Sequence, residues 1–197
     1  MRLAFLTAEM APHAHVGGLG DVARWLPRAL AAAGDEVAVF LPDYDALDPA
    51  GLPVRELLGP GEVPLGPLGT AGVRLLGDPG PGRPTVYLVT APQWHSVGSV
   101  YGGEQEHLRF AAFSAALAPL CSALGWVPDL VHANDWHTGL TALYLSAAGE
   151  PWASLPVVFT VHNLAYQGVF PAADLPLLGL GDWAYRFDPT DRAGGWL

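Results

Sequence analysis

The sequence predicts an α/β domain of three layers built on a mainly parallel, doubly wound sheet. Three observations predict it. Short apolar runs alternate with longer helical patterns along the whole chain. The first two apolar runs, Leu3–Ala8 and Glu36–Leu41, enclose a helical pattern, which is the arrangement of a crossover between parallel strands. Finally, 197 residues of which 51% are apolar suffice for one sizeable core, and for two domains at most.

The elements follow in order. Leu3–Ala8 is apolar throughout and reads as a buried strand over about residues 2–8. After Pro12 and the pair Gly17-Gly18, Asp21 is a plausible N-cap. The helix that follows shows Val22, Trp25, Leu26, Ala29, Leu30 and Ala33 at helical spacing. Pro27 is expected to bend or interrupt it, and Gly34 to end it. Glu36–Leu41 is the second strand, closed by Pro42. Residues 48–84 are rich in Gly and Pro and hold short apolar pieces such as Val73–Leu76, so hairpins or a meander are expected there.

Thr85–Val89 is a further strand. Residues 91–103 form a loop with Trp94, His95, Tyr101 and Gly102-Gly103. Glu104–Leu124 is a long helix with Phe110, Phe113, Leu117, Leu120 and Leu124 on one face and a kink expected at Pro119. Leu130–His132 and Pro156–Val161 are strands, with a helix over Thr138–Ala147 between them. From Gly168 onward Pro171, Pro176 and Gly179 suggest loop.

Composition narrows the function. The net charge is −10 and the pI about 4.9, which disfavours a nucleic-acid partner. All nine basic residues are Arg. Without a lysine there is no Schiff-base chemistry on the chain and no phosphate-binding loop of the Gly-Lys-Ser/Thr kind. The single cysteine, Cys121, excludes an intrachain disulfide or a cysteine-based zinc cluster, and its apolar helical surroundings read as those of a buried, inert thiol. No apolar run reaches the ~18 residues of a membrane span, and the N-terminal run is too short for a signal peptide. A cytoplasmic location without membrane partners is the expectation.

In an open α/β sheet, ligands bind at the carboxyl ends of the strands. Three segments lie there, residues 9–21, 132–137 and 162–168, and they hold both asparagines of the chain, Asn134 and Asn163. In the first, His15-Val16-Gly17-Gly18-Leu19-Gly20-Asp21 precedes a helix, so its amides can approach a phosphate, or the glycines simply reverse the chain. Gly18-x-Gly20-x-x-Ala23 with Asp43 also fits a loose dinucleotide fingerprint, although the glycines do not follow the strand at once. In the second, His132-Ala133-Asn134-Asp135-Trp136-His137 suits sugar hydroxyls better than a metal, since His132 and His137 need not face one centre. Asp135 also reads as a helix cap, with Trp136 packed on the core. The third, His162-Asn163-Leu164-Ala165-Tyr166-Gln167-Gly168, offers hydrogen bonds to a polyhydroxyl ligand or a satisfied strand-end histidine. No Gly-x-Ser-x-Gly elbow supports covalent hydrolysis.

Together these segments resemble the N-terminal half of the bacterial glycogen synthases and plant starch synthases, the ADP-glucose branch of the GT-B glycosyltransferases. The resemblance rests on Thr7–Pro12, Gly17–Val22, Leu41–Tyr44, Leu108–Ser114, His132–His137 and Phe159–Gly168, which occur in the family's order. It implies a Rossmann-like domain forming one side of a two-domain cleft. It implies retaining transfer of glucose from ADP-glucose to the non-reducing end of an α-1,4-glucan, with no metal and no cofactor. It implies that Asp135 and His162 act at the reacting sugar, with His162 stabilising charge at the anomeric carbon. It implies that His15, Gly17, Gly18, Asp21, Asn163 and Tyr101 border the substrates.

Two departures stand out. The family's Lys-x-Gly-Gly has His15 in place of lysine, which removes a fixed ammonium near the diphosphate. Residues 1–197 also correspond to the N-terminal catalytic domain alone, incomplete at its C-terminal end. A second domain or a partner chain is then the expected source of the remaining phosphate-binding cations, and the chain by itself is expected to be inactive. The alternatives are a dinucleotide-binding module that uses Gly18, Gly20 and Asp43, and a non-catalytic glucan-binding domain.

Overall fold

A computed structural model describes residues 1–92, 99–103, 105–180 and 195–196. Trp94, His95 and Glu104 lie outside the described residues. The main sheet has seven strands: β1 (Arg2–Leu6), β2 (Glu36–Pro42), β3 (Val54–Pro64), β4 (Thr70–Leu76), β5 (Thr85–Thr90), β6 (Leu130–Asn134) and β7 (Val157–Thr160). Their spatial order is β3-β4-β5-β2-β1-β6-β7. The five strands from β5 to β7 are parallel, while β3, β4 and β5 form the antiparallel meander expected from the Gly/Pro-rich segment. The register Leu3↔Val37 places β1 and β2 side by side and parallel, as the crossover pattern requires.

The helices are α1 (Gly18–Ala32), α2 (Glu106–Ala123) and α3 (Thr141–Ala147). Two apolar clusters fill the space on either side of the sheet. One gathers Leu3, Phe5, Val39 and Leu41 with Leu19, Ala23 and Ala31 of α1. The other gathers Ala4, Leu6, Phe40 and Val131 with Phe113, Leu117 and Leu120 of α2 and Leu145 of α3. Alternate residues of β1 and β2 thus feed opposite layers, which explains why both strands are apolar at nearly every position. Cys121 is fully buried in the second layer, and burial pushes its thiol up to about 12, so it stays protonated and inert.

Several local expectations are corrected. Asp21 is not the N-cap of α1. The helix starts one turn earlier, Gly17 is the capping residue in extended conformation, and Asp21 lies in the first turn. The interruption allowed for at Pro27 does not occur. Pro27 sits on the buried face of α1 and the helix continues for five residues to Ala32, while α2 runs unbroken through Pro119. The expected helix over 138–147 divides into a 3-10 turn at Trp136–Thr138 and the short α3. The segment after Gly168 is ordered as a two-residue strand (Phe170–Pro171) and a 3-10 helix over Ala172–Leu178. Tertiary anchors hold it: Leu178 is fully buried and its carbonyl accepts from the Tyr144 hydroxyl at 2.8 Å. No described helix is long and apolar enough to cross a membrane.

Candidate functional site

Strand order reverses at β1. The chain leaves β1 for β2 on one side, and β6 and β7 lie on the other. The crevice of an α/β sheet opens at such a point, and a cleft of about 650 Å³ lies there. Its walls come from the ends of β1, β6 and β7, from the start of α1 and from the loop before α2.

Of the residues singled out from the sequence, Gly17, Gly18, Tyr101, Asp135, His162 and Asn163 line this one cleft. His15 and Asp21 do not line it. Both are exposed and face each other, with His15 Nε2 3.6 Å from Asp21 Oδ2. His13 Nδ1 donates to the Asp48 carbonyl at 2.8 Å, and His132 pairs with the Thr160 hydroxyl at 2.8 Å, so both are engaged inside the fold. His132 and His137 therefore do not share a centre. Among the described residues no group of three or more His, Cys, Asp or Glu is placed to hold a metal ion.

Glu9 organises the first wall, and the sequence reading missed it. It follows β1, is only 3% exposed, and its Oε2 accepts from the amides of Val16 and Gly17 at 2.8 and 2.7 Å. Its Oε1 accepts from the Tyr101 hydroxyl. The glycine-rich loop therefore already has a buried carboxylate where an approaching phosphate would need those two amides. Gly20 matters for the same reason. A Cβ there would come within 2.6 Å of the exposed His15 ring, which would have to turn aside, and 3.2 Å of Glu9 Oε2, so the loop packs tightly on Glu9 at this position.

Asp135 organises the second wall. It is buried and has φ +57, a left-handed conformation that costs a non-glycine residue free energy and clusters at functional sites. Its backbone is fixed on both sides: its amide donates to the Thr160 carbonyl at 2.9 Å and its carbonyl accepts from the Thr138 amide at 3.0 Å. The side chain makes no capping bond to the turn that follows. Instead Oδ1 accepts from the His162 amide at 2.7 Å, tying the end of β6 to the end of β7.

The protonation pattern of His162 follows from its neighbour. Asn134 is fully buried, and its Nδ2 donates to the carbonyls of Leu6 and His132 at 2.9 and 3.3 Å. Its Oδ1 must therefore accept, and it lies 2.9 Å from His162 Nε2. His162 Nε2 is thus the donor to Asn134, and Nδ1 is the ring nitrogen left for other partners. Beside it His137 is buried, stacks on Tyr101 at 4.8 Å, and is pushed down to about 3 by burial and then by the charge of Arg109. Burial, together with the Glu9 hydrogen bond, raises the Tyr101 hydroxyl well above its ordinary value, so it acts as a donor.

The lining carries three carboxylates, Glu9, Glu106 and Asp135, and among the described lining residues there is neither Arg nor Lys. Carboxylates and a neutral imidazole suit hydroxyl groups and developing positive charge. Trp136 and Tyr166 add aromatic surface at the rim. Asp43, the residue a dinucleotide-binding module would turn to a ribose, does not line the cleft and pairs with Arg74 at 3.0 Å.

Comparison with known proteins gives the family. Residues 2–194 match the family described as the starch synthase catalytic domain. The chain is 41% identical over 200 residues to the glycogen synthase of Paramagnetospirillum magneticum, covering 95% of this chain and 40% of that protein. It is 39% identical over 201 residues to the glycogen synthase of Dechloromonas aromatica, covering 97% of this chain and 40% of the relative. The chain thus spans about 40% of the length of the curated relatives it matches. Among solved structures, the catalytic domain of starch synthase IV from Arabidopsis thaliana bound to ADP and acarbose superimposes with a TM-score of 0.73 at 30% identity, covering 88% of this chain and 36% of that one. The strand-end motifs, the cleft they build and these matches converge on one assignment: the chain belongs to the starch synthase catalytic domain family.

Proposed function

We propose that this chain supplies the sugar-binding wall of a retaining glucosyltransferase. The enzyme moves glucose from ADP-glucose to the non-reducing end of an α-1,4-glucan in the cytoplasm, as an enzyme of the GT-B type with a second domain facing this one. The observation that carries the reading is the convergence of Glu9, Tyr101, Asp135, His162 and Asn163 on one cleft at the switch point of the sheet. The starch synthase IV structure holds ADP and acarbose, a nucleotide and an oligosaccharide mimic, which supports the same two ligand classes here.

In this reading departure of the nucleotide diphosphate leaves positive charge on the anomeric carbon. Asp135 and the Nδ1 side of His162 face that charge as anion and dipole. Because Nε2–H is committed to Asn134, His162 orients and stabilises rather than donating a proton. Asn163, Glu9 and Tyr101 read sugar hydroxyls. Gly17 and Gly18 let the substrate approach the backbone closely. His15 and Asp21 border the entrance as a pair that screens the start of α1.

The test is thermal unfolding of the chain with ADP-glucose, ADP, NAD and maltopentaose in turn. Maltopentaose should raise the midpoint at millimolar concentration, an affinity of about −4 kcal/mol, and ADP alone should raise it less. Protection by NAD and not by the sugar would overturn the reading in favour of a dinucleotide module.

A further inference from the structure

The first turns of α2 carry three polar side chains, Glu106, His107 and Arg109, of which His107 and Arg109 are buried and do not line the cleft. Arg109 is only 4% exposed, yet its Nε and Nη1 have no hydrogen-bond partner among the described residues. A buried guanidinium satisfied so incompletely is costly, and packing alone would favour an apolar side chain. The bond it does make is specific: Nη2 donates to the Gly102 carbonyl at 2.8 Å. One turn earlier, Glu106 Oε1 accepts from the Gly102 amide at 2.8 Å and lies 3.7 Å from Arg109 Nη2. Both polar groups of Gly102, which has φ +94, are therefore fastened to α2.

The preceding residue transmits this hold. Tyr101 is stacked on His137, and its hydroxyl donates to Glu9, whose other oxygen accepts from Val16 and Gly17. An unbroken line of contacts runs from Arg109 through Gly102, Tyr101 and Glu9 to the glycine loop. A second line leaves the same turn of α2. His107 is buried, its Nε2 lies 3.0 Å from Asp174 Oδ2, and its ring stacks on Phe170 at 4.6 Å. Phe170 rests on Trp136 at 5.3 Å, and Gly168 backs onto the same indole so closely that a Cβ would fall 2.6 Å from its Cε3. This line holds the segment that continues directly from His162, Asn163 and Tyr166.

We propose that Glu106, His107 and Arg109 form a two-armed clamp that positions both walls of the cleft, one arm setting the glycine loop through Tyr101 and Glu9, the other setting the His162 segment through Phe170 and Asp174. The proposal rests on the glucan reading above for its consequence in binding, but not for the clamp itself. Arg109 and His107 do not line the cleft and act as positioning residues.

The experiment measures amide hydrogen exchange residue by residue and, on the same samples, affinity for maltopentaose. Arg109→Met should speed exchange at Val16 and Gly17 by about tenfold, the scale of one lost hydrogen bond, and weaken maltopentaose by a similar factor. Arg109→Lys should restore both, because an ammonium can donate to the same carbonyl. His107→Phe keeps the stack on Phe170, and should speed exchange across residues 163–169 while leaving Val16 and Gly17 unchanged. Tyr101→Phe cuts the first arm at its middle, at the hydroxyl on Glu9, while leaving Arg109 and its bond to Gly102 in place, and should reproduce the Arg109→Met pattern even where the latter folds poorly. Unchanged exchange at Val16 and Gly17 in Tyr101→Phe, or a uniform rise over the whole domain in Arg109→Met without rescue by lysine, would overturn the clamp. Exchange responses as expected in a chain that binds no maltopentaose would leave the clamp standing and remove the glucan reading.

Discussion

His137 is the residue through which acid should reach the fold first. Its pKa is pushed down to about 3 by burial and by Arg109, against 6.5 for a free imidazole. Between those values the unfolded chain binds a proton that the native chain refuses, so stability rises with pH across the window. It is complete above about 6.5 and is lost as pH falls, with a slope of up to about 1.4 kcal/mol per pH unit. His132 shifts in the same direction through burial and adds to the slope. Urea unfolding at pH 5 and 6.5, above the range where carboxylates titrate, should show this loss, and His137→Phe should flatten it while keeping the stack on Tyr101. An unaltered slope in that variant would place the titrating group elsewhere. At this scale the sequence showed Asp135, His162 and Asn163 because they sit at strand ends within recognisable motifs. It did not show Glu9. Apart from its resemblance stretch, the only available signal was a carboxylate at the end of the first strand. Its partners Val16, Gly17 and Tyr101 lie up to 92 residues away, a pairing that local reading cannot reach.

At the scale of elements, the apolar runs located the strands and helices well, because the central strands are buried on both faces, α1 carries an apolar stripe and α2 is buried on most of its faces. They did not locate position within the sheet. Pro156–Val161 reads as a buried strand as readily as Leu3–Leu6 does, but β7 lies at the sheet edge, and Val158 and Phe159 are 45% and 49% exposed. The continuity of both helices across a proline has a related reason. Pro27 and Pro119 sit in helices held by tertiary packing, which outweighs the lost hydrogen bond. The meander makes its own demand on sequence. Gly72 of β4 lies under the irregular stretch of β3, where a Cβ would be 2.3 Å from the Gly59 carbonyl oxygen and 2.4 Å from that of Leu58. Those atoms are backbone and cannot turn aside. Gly72→Val should therefore cost about 3 kcal/mol or more, whereas Gly61→Ala, with nothing within 4 Å of its added carbon, should stay within about 1 kcal/mol. Equal urea midpoints for the two variants would show that the meander is not packed this way.

The electrostatics of the whole molecule decide what this chain can do by itself. It carries a net charge of −10, has no lysine, and lines its cleft with Glu9, Glu106 and Asp135. A glucosyl transfer that releases a nucleoside diphosphate develops negative charge on the phosphates while the sugar becomes cationic. The cleft is suited to the second charge. For the first, the glycine-loop amides of Val16 and Gly17 are held by Glu9, and the position where the family has lysine holds His15, which faces Asp21. Arg109 does not line the cleft; it is buried and donates to the Gly102 carbonyl. A transition state left without cations near its departing phosphates loses the stabilisation that in comparable sites is worth about 3 kcal/mol per group. The purified 197-residue chain, given radiolabelled ADP-glucose and glycogen, should therefore incorporate no label above background while still binding maltopentaose weakly. Adding the complementary portion of a glycogen synthase relative as a separate polypeptide should restore transfer if the two halves of the cleft assemble. Incorporation by the chain alone at an enzyme-like rate, about 1 per second or faster, would mean that His15 and the helix start of α1 suffice for the diphosphate, and that the acidic wall is not the sugar side of the reaction.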